Sequence, residues 1–345
     1  MRRTILALLV FIFSLSTCHV VYTYFLSIYC DYSFTVRGPN IRHYPIKWSK
    51  LEQSSNPTII SKDYYRFDVY PLISAYLRSR YKGVENSNRM LVVGSSLSWG
   101  YPMSDQVSLS AKLQHNVDGD VVVGDASMIG ANLERIHEIL CNLSFQDLNP
   151  DIMFIEIPII NELNNVINMG GSSLLNNCED RSRYKKSVQS YFKFFFFNPD
   201  GIASIPRLRK AFYGRDGNRY MRKVNIPEIY RFTHEQVEGK TKQLDNRIRA
   251  VFQQASAVGK RVIVFFSPIY RQAYLDLKVD DLHLDVLVNK VITICKDYKK
   301  VICMRPILDV EQNISNFFNI SHINKNGMNA LSQNLLKESR KKHLR

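Results

Sequence analysis

A serine and a histidine far apart in this chain have the types and settings needed for nucleophilic chemistry. The serine, Ser96, lies in Gly94-Ser95-Ser96-Leu97-Ser98-Trp99-Gly100, directly after the apolar run Met90-Leu91-Val92-Val93. The histidine, His322, closes Asn319-Ile320-Ser321-His322, and Ile323-Asn324-Lys325-Asn326-Gly327 leads from it into a helical pattern. A hydroxyl is a weak nucleophile and needs an adjacent base, which need not be near it in sequence. With Ser96 as nucleophile and His322 as base, the pair would suit acyl transfer.

Two further segments could help it. Asn161 follows the run Ile152 to Ile157, in Pro158-Ile159-Ile160-Asn161-Glu162. Gly130 follows Val121-Val122-Val123-Gly124-Asp125, with Gly124 as a second candidate. A side-chain amide and a backbone N–H are both hydrogen-bond donors. Taken singly, each segment also reads as ordinary turn or helix-capping sequence: Ser95, Ser96 and Ser98 are good caps, and Asn is a common turn residue.

In this order the four segments resemble the blocks of the SGNH, or GDSL-like, hydrolase superfamily, over Met90 to about Ala330. Gly94-Ser95-Ser96-Leu97 keeps the glycine, nucleophile and leucine of Gly-Asp-Ser-Leu, with Ser95 in place of Asp. The third block, Gly-x-Asn-Asp, is reduced to Asn161-Glu162, without its glycine. The fourth, Asp-x-x-His, has Asn319 in place of Asp. The resemblance implies Ser96 and His322 as the reacting pair, Asn319 as orienter of the imidazole, and Gly130 and Asn161 as oxyanion donors. Asp309 is the alternative orienter, because an Asn carbonyl can accept from Nδ1–H but brings no charge. The resemblance implies no metal or organic cofactor.

The elements that must position these residues can be read from periodicity. Met90 to Val93, Asp120 to Val123, Ile152 to Ile157 (apolar except for Glu156), Val262 to Phe266 and Val301 to Met304 read as buried strands. Residues 98–115, and helical spacings around Leu133 to Leu143, Leu244 to Ala255, Leu284 to Cys295 and Met328 to Leu336, predict the helices between and after them. Nearly wholly apolar strands alternating with helices predict an α/β fold, a parallel sheet covered on both faces. In three-layer α/β/α form it is the SGNH-like architecture, here covering 89–340. Residues 165–235 break the rhythm with Gly170-Gly171-Ser172-Ser173, an aromatic run Tyr191 to Phe197 and a basic stretch, and read as an insertion.

Residues 4 to 30 contain no Asp, Glu, Lys or Arg and are long enough to span a bilayer. Arg2 and Arg3 before them favour an N-terminus inside and an exported body. The reading is an uncleaved anchor over 1–30, with a cleaved signal peptide as the rival, followed by a connecting segment over 31–88. With 46 Lys and Arg against 31 Asp and Glu, the formal charge is +15. That balance fits an anionic membrane surface or polymer, and nucleic acid is the least fitting partner behind an anchor. Six cysteines form no CxxC pair and no Cys/His cluster in sequence, so no metal site is expected. Cys295 and Cys303 read as buried free thiols rather than a pair.

The anchored layout is similar to SGNH proteins that acylate bacterial cell-surface polymers. It implies an O-acyl esterase or acyltransferase working on an extracytoplasmic glycan or envelope polymer at the bacterial inner membrane. The other reading is a catalytically degenerate SGNH-like domain that binds polymer or scaffolds a membrane acyltransferase.

Overall fold

The computed structural model describes residues 80–100, 107–117, 119–128, 131–144, 148–168, 234–272 and 282–340, with isolated positions within 10–17, 35–37, 43–45 and 73–78, and Cys178. One compact unit takes in Ile73–Arg183 and Pro206–Arg345; the other takes in Met1–Leu72 and Tyr184–Ile205. In the latter unit, β1 (Thr35–Arg37) pairs antiparallel with β2 (His43–Pro45). Most of the expected anchor, of the connecting segment and of the insertion lies outside the described residues. Among the described residues, no helix is long and apolar enough to cross a membrane.

The larger unit is built on five parallel strands: β3 (Arg89–Val93), β4 (Val122–Asp125), β5 (Ile152–Ile157), β6 (Arg261–Phe266) and β7 (Val301–Cys303). Their order across the sheet is β4-β3-β5-β6-β7, and every neighbouring pair is parallel. The five segments expected as strands are these five: β5 has the expected bounds, and the other four differ by one or two residues at their ends. The connections carry α1 (Leu109–Asn116), α2 (Leu133–Ser144), α3 (Ile159–Asn168), α4 (His234–Val258) and α5 (Leu282–Cys295). After β7 come α6 (Leu308–Glu311), a short antiparallel pair β8 (Phe317–Asn319) and β9 (His322–Ile323), and α7 (Lys325–Arg340).

Alternation along each strand makes two cores. Val92, Val123, Ile152, Phe154, Ile263 and Phe265 join Leu109 and Leu113 of α1 and Met328, Leu331 and Leu335 of α7 in one cluster. The intervening residues Leu91, Val93, Met153, Ile155, Val262 and Val264 are also fully buried, on the opposite face. Met153 lies there against the end of α4 at Gly259, and α4 packs on α2, α3 and α5. A sheet buried on both sides leaves only its strand ends for polar chemistry.

One expectation is corrected in the loop after β3. No helix starts at residue 98: the chain makes a single turn through Ser95 to Gly100, where the N–H of Trp99 donates to the Ser95 carbonyl and that of Gly100 to Leu97. Gly100 then takes a φ of +81°, which ends the turn. The helix α1 begins only at Leu109, with the Ser108 hydroxyl accepting from Ala111 N–H as its cap.

The cysteine reading is corrected as well. Cys295 and Cys303 form a disulfide, because the tight turn between α5 and β7 brings their Cα atoms to 6.1 Å. A second disulfide joins Cys141 of α2 to Cys178.

Candidate functional site

At the C-terminal ends of β3, β5 and β6 the structure brings together residues from all over the chain. Ser96, Glu156, Asn161, Ser267, Ser321 and His322 line one small open cavity, of about 20 Å³. The Ser96 hydroxyl lies 2.9 Å from His322 Nε2. His322 Nδ1 lies 3.0 Å from the Asn319 side-chain oxygen. Serine, imidazole and amide thus form one hydrogen-bonded line.

The Asn319 amide is oriented by the backbone. Its oxygen also accepts the N–H of Ser321 at 3.1 Å and of His322 at 2.9 Å. Two backbone donors leave no place for the NH2 group on that side, so the carbonyl faces the imidazole. Nδ1 therefore carries the ring proton, and Nε2 turns its lone pair toward the Ser96 hydroxyl. Withdrawal from water lowers the His322 pKa from 6.5 to about 4. Asp309, the alternative orienter, is exposed on α6 and does not stand at the ring.

Asn161 begins the second half of the first turn of α3 and reaches the same cavity. Gly130 lies outside the described residues. Gly124 is not at the site: it sits inside β4 opposite Leu91, and a Cβ there would lie 2.5 Å from Leu77 and from the Tyr81 hydroxyl. The loop after β4 is nevertheless tied to the nucleophile segment, since Met128 N–H donates to the Gly94 carbonyl at 2.9 Å.

The structure adds three features whose roles the sequence did not show. Glu156 is the single polar residue of β5 and is fully buried beneath the Ser96 turn. Glu162, next to Asn161, pairs with Arg247 of α4 in a buried ion pair and accepts Leu133 N–H at the start of α2 at 2.8 Å. Burial raises the Glu162 pKa and the Arg247 guanidinium opposes that rise. The third is a Cys/His grouping absent from the linear spacing: His137, Cys141 and Cys178 lie within 4.8 Å of one another. Its two sulfurs are joined to each other, which leaves no thiolate to hold a metal.

No family model and no curated protein matches the sequence. Among solved structures, the chain is similar to TesA at 13% identity and a TM-score of 0.43, over 73% of this chain and 98% of that one. It is similar to the psychrotrophic esterase EstA from Pseudoalteromonas sp. at 16% identity and a TM-score of 0.37, over 75% and 99%. It is also similar to Axe2, an acetylxylan esterase from Geobacillus stearothermophilus, at 11% identity and a TM-score of 0.41, over 76% and 98%. The SGNH resemblance rests on the arrangement within the chain itself. The nucleophile segment follows the first strand of the parallel sheet, Asn161 follows the third, and His322 precedes the last helix. The fold is α/β, and its parallel sheet holds these segments in the order that the SGNH resemblance implies.

Proposed function

We propose that this protein is a serine O-acyl esterase or acyltransferase. The observation that carries the reading is the unbroken line Ser96–His322–Asn319, with contacts of 2.9 and 3.0 Å, at the mouth of a cavity. His322 Nε2 takes the Ser96 proton as the oxygen attacks an ester carbonyl. The negative charge that develops on the carbonyl oxygen is met by the Asn161 amide and by backbone N–H groups, with Gly130 as the second proposed donor. The imidazolium returns its proton to the leaving alcohol. Water, or a sugar hydroxyl in a transferase, then releases the acyl group by the same steps in reverse.

Two features of the rest of the chain support a substrate class. An uncharged stretch behind Arg2 and Arg3 and an excess of cations suit a body held outside the inner membrane beside an anionic or glycan polymer. We therefore extend the proposal to ester groups on an envelope glycan or polymer, with a membrane acyltransferase as the fitting partner.

The test is labelling of the full-length chain with a fluorophosphonate probe. Wild type is expected to be labelled at Ser96, and Ser96→Ala to lose all label. A folded wild-type chain that takes no label would overturn the esterase reading and favour a polymer-binding or scaffolding role.

A further inference from the structure

The carboxylate that the Gly-Asp-Ser-Leu pattern places beside the nucleophile is absent at Ser95. A carboxylate from another strand stands against Ser95 instead. Glu156, fully buried at the end of β5, receives five hydrogen bonds. One oxygen accepts the N–H of Ser95 at 2.8 Å, the N–H of Ser98 at 3.1 Å and the Ser98 hydroxyl at 2.6 Å. The other accepts the hydroxyls of Ser95 and Ser267, the latter at 2.6 Å. A carboxylate has about four lone-pair sites, so this one is saturated. Four of the five donors belong to the two residues that flank Ser96–Leu97, so the turn carrying the nucleophile is clamped on both sides.

The fifth donor extends the clamp toward the base. Ser267 opens the segment after β6, and three residues on, Tyr270 N–H donates to the Ile320 carbonyl at 2.9 Å. Ile320 lies inside the Asn319–His322 loop. The glycine before the turn is fitted to the same group: a Cβ on Gly94 would lie 2.6 Å from Glu156 and 2.5 Å from the Ser98 hydroxyl.

We infer that Glu156 is the positioning residue of the site, taking over from β5 the task of the missing aspartate at position 95 and holding the Ser96 turn and the His322 loop in register. The inference rests on the esterase reading for its consequence in rate, but its geometry can be tested without turnover. Misplacing a reacting atom by about 1 Å costs on the order of 100-fold in rate. Glu156→Ala should therefore slow fluorophosphonate labelling, per folded molecule, by at least about ten-fold. Ser95→Asp alone puts two carboxylates into one space and should also be slow. Ser95→Asp combined with Glu156→Ala returns one carboxylate to the vacated space and should recover much of the lost rate, which a merely structural role for Glu156 does not require.

Labelling of folded Glu156→Ala at the wild-type rate, or no recovery in the double variant, would overturn the inference. If Glu156→Ala does not fold, Ser98→Ala removes one donor from the clamp and should slow labelling by about three-fold or more; an unchanged rate would overturn the inference. If wild type itself takes no label, the esterase reading fails, and crystal structures of the same variants decide on Glu156. The Ser96–His322 contact should open beyond about 3.5 Å in Glu156→Ala and close again in the double variant. A contact that stays closed in Glu156→Ala refutes the positioning role.

Discussion

His322 is where the chemistry of this site can be tested most sharply. Its partner is an amide, so no carboxylate stabilises the imidazolium, and burial holds its pKa at about 4. The acid limb of kcat/KM on an ester substrate should have its midpoint near pH 4 instead of 6.5, because the free base must be neutral to accept a proton. Asn319→Asp adds an opposite charge at the same three donors. It should move that midpoint upward and raise kcat at neutral pH, while Asn319→Ala should lower it. In serine proteases the change from Asp to Asn costs about 10⁴ in kcat, in large part through the wrong tautomer. Here the Ser321 and His322 N–H groups fix the amide oxygen toward the ring, so only the charge is missing and the gain from Asn319→Asp should be smaller than that. The same shift acts on stability. Between pH 6.5 and about 4 the unfolded chain binds the His322 proton and the folded chain does not, so thermal stability from this group should fall as pH drops through that window. A pH–rate midpoint of 6.5 or above in wild type would contradict the lowered pKa of this half-buried ring.

At the scale of elements, the strands were legible because both faces of the sheet are covered. Met153 and Phe154 are equally buried, so β5 reads as a continuous apolar run with Glu156 as its one exception. That exception was visible in sequence, but its five donors come from residues 58 to 111 positions away, which no local pattern encodes. The start of α1 was misread for a local reason: Ser95, Ser96 and Ser98 are good helix caps, but their turn ends at Gly100 and Ser108 caps the helix instead. The pair Glu162–Arg247 was hidden in the same way, its partners 85 residues apart. It joins α3 to α4 and, through Leu133, to α2, so Arg247→Ala should leave a buried carboxylate without its counter-charge. We expect about 3–5 kcal/mol lost in denaturant unfolding. Gly327 binds the last helix to the His322 loop, since a Cβ there would lie 2.4 Å from the Asn316 carbonyl and 2.7 Å from Ile323. Gly327→Ala must push α7 away from β9, and should lower both the unfolding temperature and the labelling rate at Ser96.

At the scale of the whole molecule, the proposal depends on the compartment in which the body folds, and the cysteines report on it. Sequence spacing did not show their pairing: Cys295 and Cys303 read as free thiols because both sit in apolar patterns, and Cys141 and Cys178 form no recognised motif. The fold pairs all four. A cross-link over 37 residues stabilises by about 4 kcal/mol in the chain-entropy account, and one over 8 residues by about 2.5. Bridges of this kind persist in exported proteins and are kept reduced in the cytoplasm. If Arg2 and Arg3 hold the N-terminus inside, Cys141, Cys178, Cys295 and Cys303 should resist alkylation by a maleimide in freshly lysed, acid-quenched cells. They should react only after reduction and unfolding. A C-terminal phosphatase fusion should be active in the same cells, because that enzyme matures only outside the cytoplasm. Four thiols that alkylate without reduction, together with an inactive fusion, would place the body inside. An envelope polymer would then be out of reach of Ser96, and the substrate would have to be a soluble ester.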